Sequence, residues 1–488
     1  MSTEQPASEQ TVRRDAGTRR GRTRRRRGRA FAVAFAAVVG VLAVLGLGGA
    51  ALTSVQGPRV TSVQFDPDAA VTASGSRVIF TTSQSLDEVD PAQVTVTPAA
   101  DFTVDTSGRS VGLRFALPLW DDTEYTVRIE DVTGLGGGPP VTIERTLTTP
   151  PLEVYILQRQ ESGDTVYRTD LAGDAAVPVF SHPHIEDFRA TAGHLVMSTV
   201  DDDGLSHLIV TDLEGEGERE LPLPGEGTVT DLQSADRGNL IGYLFTDVDI
   251  SADSGREAAL FTASLSASRG DEPPTAVERE GGDSRVDDWR FVPGTDSLLM
   301  LTFDGSLTLV TPGGGAPVAL GNAIAIDGIA RGSATAIVER VTGLVAIDLA
   351  TAEETELPPT DPSLGQAWSV VGLPDGSGSG DTVRVLSKLD DAGITVESTS
   401  VAVVDAAGEA RTVFDVPADA SLMQACVSPS GRYAALLIAP EIVDNPYDGY
   451  QLPLPERLQT HVVSLADGKE VVALRGFDVS WCQSAPRP

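Results

Sequence analysis

Two kinds of strand-like segment alternate along the chain after Leu152, and this repetition constrains the fold more than any other feature of the sequence. One kind is an apolar strand that ends in a polar turn, and it occurs seven times, as VYRTDLAGD, LIVTDLEGEG, LFTASLSASRGD, LTLVTPGGG, LVAIDLATAEE, VAVVDAAGEA and HVVSLADGKE. The other kind begins with an acidic or aromatic residue and continues through a turn into a strongly apolar strand, as in DDWRFVPGTDSLLMLT. Four-stranded units repeated in this way bury their faces only against their neighbours, which predicts a seven-bladed β-propeller over residues 151–485.

One copy of the second segment, VSPSGRYAALLIA at 427–439, is sharper than the others. It resembles the blades of TolB-like and WD40-like propellers, in which a Ser-Pro-x-Gly turn joins the two inner strands. The Trp-Asp and Gly-His signatures of WD40 repeats do not recur from copy to copy. A pair of β-sandwiches or a β-helix remains an alternative to the propeller.

The first predicted blade lacks an inner strand, because LEVYILQRQ opens it at the position of a second strand. FDVSWC at 477–482 is an inner strand with no blade after it. The two fragments complete one another, so the ring is predicted to close with strands from both ends of the chain, which removes exposed sheet edges. Cys426 and Cys482 are the only cysteines and fall on inner strands of neighbouring blades, which predicts a disulfide, with two separately buried thiols as the alternative.

Residues 59–150 alternate apolar and polar side chains in seven short runs separated by turn-forming residues, which predicts a β-sandwich. The landmarks of this segment lie in VIFTTSQSLDEVDPAQVTVTP and LRFALPLWDDTEYTVRIEDVTGLGG. On these two stretches the segment resembles the bacterial Ig-like domains of surface proteins. The resemblance implies a spacer or an adhesion module.

The N-terminal segment predicts a membrane anchor. Residues 1–29 hold ten Arg against three acidic residues, a charge of +7 in a chain whose net charge is −34. Residues 30–52 are uncharged and nearly all apolar, and a helix of this length spans about 30 Å of hydrocarbon. The adjoining arginines keep the N-terminus in the cytoplasm, so we expect a single-pass cell-membrane protein with a tether at 53–58 and extracytoplasmic domains. A cleaved signal peptide is the alternative.

Acidic residues recur at the start of the predicted inner strands, and these positions converge near one mouth of a propeller channel. They could hold a cation or a basic peptide there, although capping of turns by Asp side chains is the simpler alternative. The residues are Asp187, Asp231, Asp288, Asp327 and Asp478. A long insertion, IVDNPYDGYQLPLPERLQ at 442–459, adds Tyr447 and Tyr450 as candidate contact residues, unless it packs as an extended hairpin on its own blade.

Two motifs that suggest other chemistry are set aside. His182 and His184 in SHPHIED suggest a metal site with Glu186 and Asp187, but no third His or Cys lies near, so solvated loop histidines are the better interpretation. GRSVG at 108–112 matches the serine-hydrolase pattern, but Ser110 opens a strand rather than a strand-to-helix elbow. No catalytic residue, cofactor or metal is therefore predicted.

The sequence thus predicts an all-β fold, in which an Ig-like β-sandwich is followed by a seven-bladed β-propeller and preceded by one transmembrane helix. The predicted function is that of a membrane-anchored, extracytoplasmic binding or scaffold protein, which recognises a protein, a peptide or an envelope polymer through a propeller face. The acidic charge argues against nucleic acid as a partner. The alternatives are a propeller hydrolase or lyase that uses carboxylates at the channel mouth, and a purely structural envelope component.

Overall fold

The computed structural model describes residues 31–44 and 57–486, apart from internal gaps at 174–175, 237–238, 252–253, 271, 279–280, 313, 375–379 and 391. Helix within these ranges is confined to short pieces. They are α1 at 31–44, α2 at Pro67–Thr72, and 3-10 turns at Pro91–Gln93, Ala267–Arg269, Pro362–Leu364 and Ile442–Asp444. All the sheets among the described residues are antiparallel, as expected for the predicted all-β fold.

The transmembrane helix predicted over 30–52 is wrong, and with it that part of the predicted fold class. No helix within the described ranges is both long enough and apolar enough to cross a membrane. Helix α1 has exposed side chains from Phe31 onward, and its 14 residues extend for roughly 21 Å, less than the ~30 Å of a hydrocarbon core. The basic tail predicted at 1–29 lies outside the described residues, as does most of the tether predicted at 53–58.

Seven strands between residues 57 and 149 form two antiparallel sheets that pack face to face. One sheet has the strand order β1-β2-β5-β4, and the other has the order β3-β6-β7. The strands are β1 Val60–Phe65, β2 Arg77–Thr82, β3 Val94–Thr97, β4 Phe102–Ser107, β5 Ser110–Phe115, β6 Glu124–Val132 and β7 Val141–Thr148. Because side chains alternate along each strand, Val78, Phe80, Leu113 and Tyr125 point into one core between the sheets.

Seven further antiparallel sheets follow in chain order, the first with three strands and the others with four. The first three sheets are β8 Glu153–Gln158, β9 Asp164–Asp170 and β10 Val177–His182; β11 Ile185–Ala190, β12 Leu195–Val200, β13 Ser206–Thr211 and β14 Arg219–Leu221; and β15 Gly227–Ser234, β16 Leu240–Asp247, β17 Ala259–Ser264 and β18 Thr275–Ala276. The next two are β19 Val286–Phe291, β20 Leu298–Thr302, β21 Ser306–Val310 and β22 Val318–Asn322; and β23 Ala325–Ile329, β24 Thr335–Arg340, β25 Gly343–Asp348 and β26 Glu354–Glu356. The last two are β27 Gln366–Gly372, β28 Thr382–Leu389, β29 Val396–Val404 and β30 Ala410–Asp415; and β31 Ser421–Val427, β32 Tyr433–Ala439, β33 Gln459–Ser464 and β34 Glu470–Arg475.

These seven sheets are the blades of a ring. The inner strands contact one another in sequence from β11 through β15, β19, β23 and β27 to β31, and β11 also contacts β8 of the first blade. Each blade has an even number of antiparallel strands once the first is completed, so every inner strand begins at the same end of the ring. We call this the open end, which carries the links between blades and the turns joining second to third strands. The opposite end, on which the two-sheet unit packs, is called the sandwich end.

The C-terminal segment completes the first blade. Leu157 and Phe477 exchange two backbone hydrogen bonds of 3.0 Å, and the Ser480 N–H donates to the Tyr155 carbonyl at 2.9 Å. This pairing is a single bridge followed by a turn, shorter than the strand predicted at 477–482. A disulfide joins Cys482 to Cys426 on β31 of the last blade.

Candidate functional site

The two-sheet unit packs against the sandwich end of the ring, where a cavity of about 210 Å³ lies between helix α2 and the turns of several blades. Val71 of helix α2 packs in one apolar cluster with Leu152 and Trp481. Beside it, Arg432 in the last blade donates to the carboxylate of Asp121 at 3.1 Å. The open end is therefore the end at which a ligand would enter the channel.

A β-bulge interrupts the pairing of the first and second strands at the same point in six blades. One or two residues of each inner strand lack a counterpart there, and a bulge of this kind re-aims the side chain of the extra residue. The closing segment repeats the pattern, since Asp478 and Val479 together lie opposite Ile156. Seven residues, the first extra residue of each interruption, form what we call the bulge ring; in blade order they are Asp478, Glu186, Asp231, Asp287, Asp327, Trp368 and Met423.

The bulge ring is acidic on one side and apolar on the other. Its five carboxylates occupy the first five blades, while Trp368 and Met423 occupy the last two. A cavity of about 440 Å³ is lined by Glu186, Asp231 and Asp287. A second cavity, of about 370 Å³, is lined by Asp327 together with Trp368 and Met423. The open half of the channel thus offers a cation-attracting wall beside an apolar wall.

Residues 483–486 of the C-terminal segment lie within this channel. The Gln424 side-chain amide donates to the Ser484 carbonyl at 2.7 Å. Ala485 lines both cavities, and Pro486 lines the larger one. The channel is therefore partly filled by the protein's own chain.

Two of the predicted acidic residues, Asp187 and Asp478, are buried and share one guanidinium. Nη1 of Arg189 donates to Oδ1 of Asp187 at 2.7 Å and to Oδ2 of Asp478 at 2.5 Å. Burial raises the pKa of the Asp187 carboxyl well above its usual value, against the lowering effect of Arg189, and the nearby charge of Asp478 raises it further. The contact ties the second blade to the closing segment, so these two carboxyls serve the ring itself.

The other inner strands are tied to their neighbours in a similar way. Arg290 forms an ion pair with Asp288 in its own strand and donates to the Ile326 carbonyl of the next blade at 3.4 Å. Asp327 accepts a hydrogen bond of 3.0 Å from the Val370 N–H, again one blade further on. Burial raises the pKa of Asp327 to about 6. Arg290 and Asp327 thus join neighbouring blades. Asp288 pairs within its own strand, and Asp231 accepts from Gln233 of its own strand at 3.2 Å.

Tyr450 is an internal anchor of the insertion rather than an exposed contact residue. Its hydroxyl donates to both oxygens of Asp164 at 2.9 and 2.8 Å, and the Arg159 guanidinium lies 3.8 Å from its ring centroid. The N–H groups of Gln451 and Leu452 donate to Glu186 at 2.9 and 3.3 Å. The insertion therefore packs on the first and second blades as well as on its own, where Leu454 and Leu458 share an apolar cluster with Leu437.

Tyr447 remains half-exposed at the open end and is free to contact a partner.

The two histidines of SHPHIED make hydrogen bonds within their own segment. Nε2 of His184 lies 2.6 Å from Glu186, and Nδ1 of His182 lies 3.0 Å from the His184 carbonyl. Among the described residues no group of three or more His, Cys, Asp or Glu side chains is arranged to hold a metal ion. The histidines thus belong to the local hydrogen bonds of the loop.

Comparisons with known proteins give structural neighbours only. No protein-family model and no curated protein matches the chain. The solved structures that match include the tricorn protease, at 12% identity over 83% of this chain and 45% of that one, with a TM-score of 0.32. They also include a TolB-like protein from Agrobacterium tumefaciens (12% identity, 66% of this chain, 90% of that one, TM-score 0.32) and the WD40 domain of SCAP from fission yeast (12%, 67%, 88%, TM-score 0.36).

These neighbours include proteins of the TolB-like and WD40 kinds that VSPSGRYAALLIA resembles. This chain spans less than half the length of the tricorn protease. At such identities and TM-scores the likenesses carry no argument about function, and the propeller rests on the sheet order and the ring of inner strands. None of the comparisons supports the Ig-like assignment of residues 59–150.

Sequence reasoning missed four members of the bulge ring that line the channel, namely Glu186, Asp287, Trp368 and Met423. Glu186 and Asp287 each precede a predicted Asp by one residue, so the acidic pair was visible but its bulged member was not identified. Trp368 holds the equivalent place in QAWSVV, a copy without any acidic residue. When the repeats are aligned by the last residues of their inner strands, Trp368 falls at the same position as Glu186 and Asp287.

Proposed function

We propose that this protein is a non-catalytic binding protein, which takes up a basic and partly apolar segment of another protein at the open end of its propeller. The observation that carries the proposal is the bulge ring, with carboxylates on one arc and Trp368 and Met423 on the other. Asp231, Asp287 and Asp327 are the carboxylates accessible to a partner, because Asp478 and Glu186 are buried in contacts within the chain. A Lys or Arg side chain would be attracted to the acidic arc, and its apolar neighbours would lie against the apolar arc.

Exposed apolar side chains around the open end support a protein partner. They lie in the turns between second and third strands and in the links between blades, as Val248, Ile250, Phe303, Ile324, Val341, Ile394, Val443 and Tyr447. We take these side chains as candidate contacts for a protein partner, because a contiguous exposed apolar patch is typical of a surface that another protein covers. Part of the sandwich end, by contrast, is in contact with the two-sheet unit through Val71.

The net charge of −34 favours a basic partner. A strongly acidic surface accelerates the approach of a positively charged segment and repels an acidic one. The disulfide between Cys426 and Cys482 favours a location where thiols are oxidised, outside the cytoplasm, and we propose that the protein acts there on a protein of the cell envelope. The Ig-like resemblance of residues 59–150 supports a spacer role for the two-sheet unit.

An enzyme is the less supported candidate. Its best acid, Asp187, is held by Arg189 in a contact that joins two blades, and part of the channel is filled by residues 483–486. An acid that must move a proton to a substrate needs access to it, whereas a binding wall only needs its charge near the surface.

The test is a peptide titration on the purified protein. A fluorescent peptide of alternating Arg and Leu is compared with one of alternating Glu and Leu, at low and high salt. We expect binding of the Arg peptide alone, weakened by salt and by roughly tenfold or more in the double variant Asp231→Asn/Asp327→Asn. Asp467→Asn, in an exposed turn at the sandwich end, is the matched control and leaves the affinity unchanged. Equal binding of both peptides, or no effect of the double variant, would contradict the proposal.

A further inference from the structure

A groove between the fifth and sixth blades contains a buried positive charge that the rest of the protein does not neutralise. The charge is the guanidinium of Arg384 on β28, a residue that is only 3% exposed. The groove is a cavity of about 770 Å³ that opens beside the bulge ring. Its volume falls within the range of about 300 to 1,000 Å³ that is typical of small-molecule sites.

Arg384 makes two hydrogen bonds, and both are to neutral oxygens. Nε donates to the Thr382 hydroxyl at 3.0 Å, and Nη1 donates to the Pro358 carbonyl at 2.7 Å. Nη2 has no acceptor among the residues that the structure describes. Burial alone lowers the pKa of this guanidinium, without any opposing effect of a nearby carboxylate.

This arrangement differs from that of the buried arginines in the channel. Arg189 and Arg290 each contact a carboxylate of their own strand two residues away. A buried charge without a counter-charge is destabilising by several kcal/mol, so proteins rarely keep one unless it has a partner outside the chain. The lone Arg384 in a chain of net charge −34 therefore points to a missing anion.

The walls of the groove indicate which anion fits. Trp368 is half-exposed and lines the groove, so a flat apolar group could lie against its ring. Glu339 and Glu356 also line it but are exposed at its rim, where solvent and salt screen their charges. Asp327 lines the groove too, and so does Lys388, which is paired with Glu397 at 2.8 Å. A groove with these carboxylates suits an anion of a single charge better than a doubly charged phosphate.

We propose that the groove between the fifth and sixth blades binds a carboxylate-bearing ligand, with its carboxylate on Arg384 and its apolar or aromatic part against Trp368. The proposal is separate from the function proposed for the bulge ring, because its charged group is Arg384 and its ligand has the opposite charge, although Trp368 lines both places.

The probe is 3-phenylpropionate, titrated into the full chain by calorimetry at constant ionic strength. Its matched control is 3-phenylpropanamide, which keeps the shape and lacks the charge. We expect the carboxylate to bind and the amide to bind roughly tenfold more weakly or not at all. Equal affinities would overturn the proposal, and tighter binding of phenyl phosphate would overturn the choice of a carboxylate.

Arg384→Met separates a binding role from a structural one. If Arg384 serves a ligand, Met removes the uncompensated charge and the Tm stays level or rises, while binding of 3-phenylpropionate is lost. Trp368→Ala, at a half-exposed position, weakens binding without unfolding the chain. Arg269→Gln, at an exposed turn, is the control and retains full affinity. A fall in the Tm of Arg384→Met together with unchanged binding of 3-phenylpropionate would refute the inference.

Discussion

Asp327 offers the most direct measurement of the electrostatics of the bulge ring. Burial raises the pKa of its carboxyl from 3.8 to about 6, while the hydrogen bond from the Val370 N–H opposes the change. The folded protein therefore binds this proton more tightly than the unfolded chain does. The resulting stability is complete below about pH 4 and is lost as the pH rises through about 6.

The magnitude follows from the two pKa values. A tenfold change in a protonation equilibrium corresponds to about 1.4 kcal/mol, so the difference between 3.8 and about 6 amounts to roughly 3 kcal/mol of lost stability at pH 8. Asp327→Asn is neutral at every pH, and its side-chain oxygen can still accept from Val370. We expect the variant to match the wild type at pH 4 and to be more stable by up to roughly 3 kcal/mol at pH 8.

The assay is urea unfolding followed by tryptophan fluorescence, with wild type and variant compared at each pH between 4 and about 8. Asp467→Asn is the control of opposite sign, because hydrogen bonds from Lys469 and Ser464 lower the pKa of Asp467 to about 2. Its charged form is the stabilising one, so this variant loses stability at neutral pH, and the loss disappears only as the pH falls through about 2. A difference between Asp327→Asn and wild type that does not change with pH would refute the reasoning.

Two further predictions concern the closure of the ring. Cys426→Ser removes a cross-link between residues 56 apart in sequence, and we expect the free energy of unfolding to fall by about 4 kcal/mol under oxidising conditions and by nothing once the wild type is reduced. Tyr450→Phe removes the hydroxyl that donates to Asp164, so we expect a loss of about 1 to 3 kcal/mol and faster hydrogen exchange at the Gln451 and Leu452 amides, which a mass-spectrometric exchange experiment measures. Unchanged exchange at both amides would mean that the hydroxyl does not hold the insertion.

The blades could be predicted from the sequence, because each strand packs against neighbouring blades on both faces and therefore consists mainly of apolar residues. The acidic residues at the start of the inner strands could be recognised in the same way, although Asp187 and Asp288 lie one residue after the bulge and pair with Arg189 and Arg290. The bulges could not be predicted, because one extra residue changes the face of the sheet to which the side chains point without changing the composition of the strand. The contacts that anchor Tyr450 could not be predicted either, because Asp164 and Arg159 lie almost three hundred residues away in sequence. For residues 30–52, composition alone predicted a helix longer than the one described.

Asp327 lies between the two proposed sites and allows them to be distinguished. It lines the channel cavity shared with Trp368 and also the groove that contains Arg384. Its ionised carboxylate attracts a cation at the bulge ring and repels an anion in the groove, so its removal must act in opposite directions at the two places. A loss of affinity for the Arg peptide together with a gain for 3-phenylpropionate is expected only if both sites exist. If removal of the Asp327 carboxylate changes the affinity for only one of the two ligands, the site of that ligand is supported and the other site is rejected, because Asp327 lines both cavities.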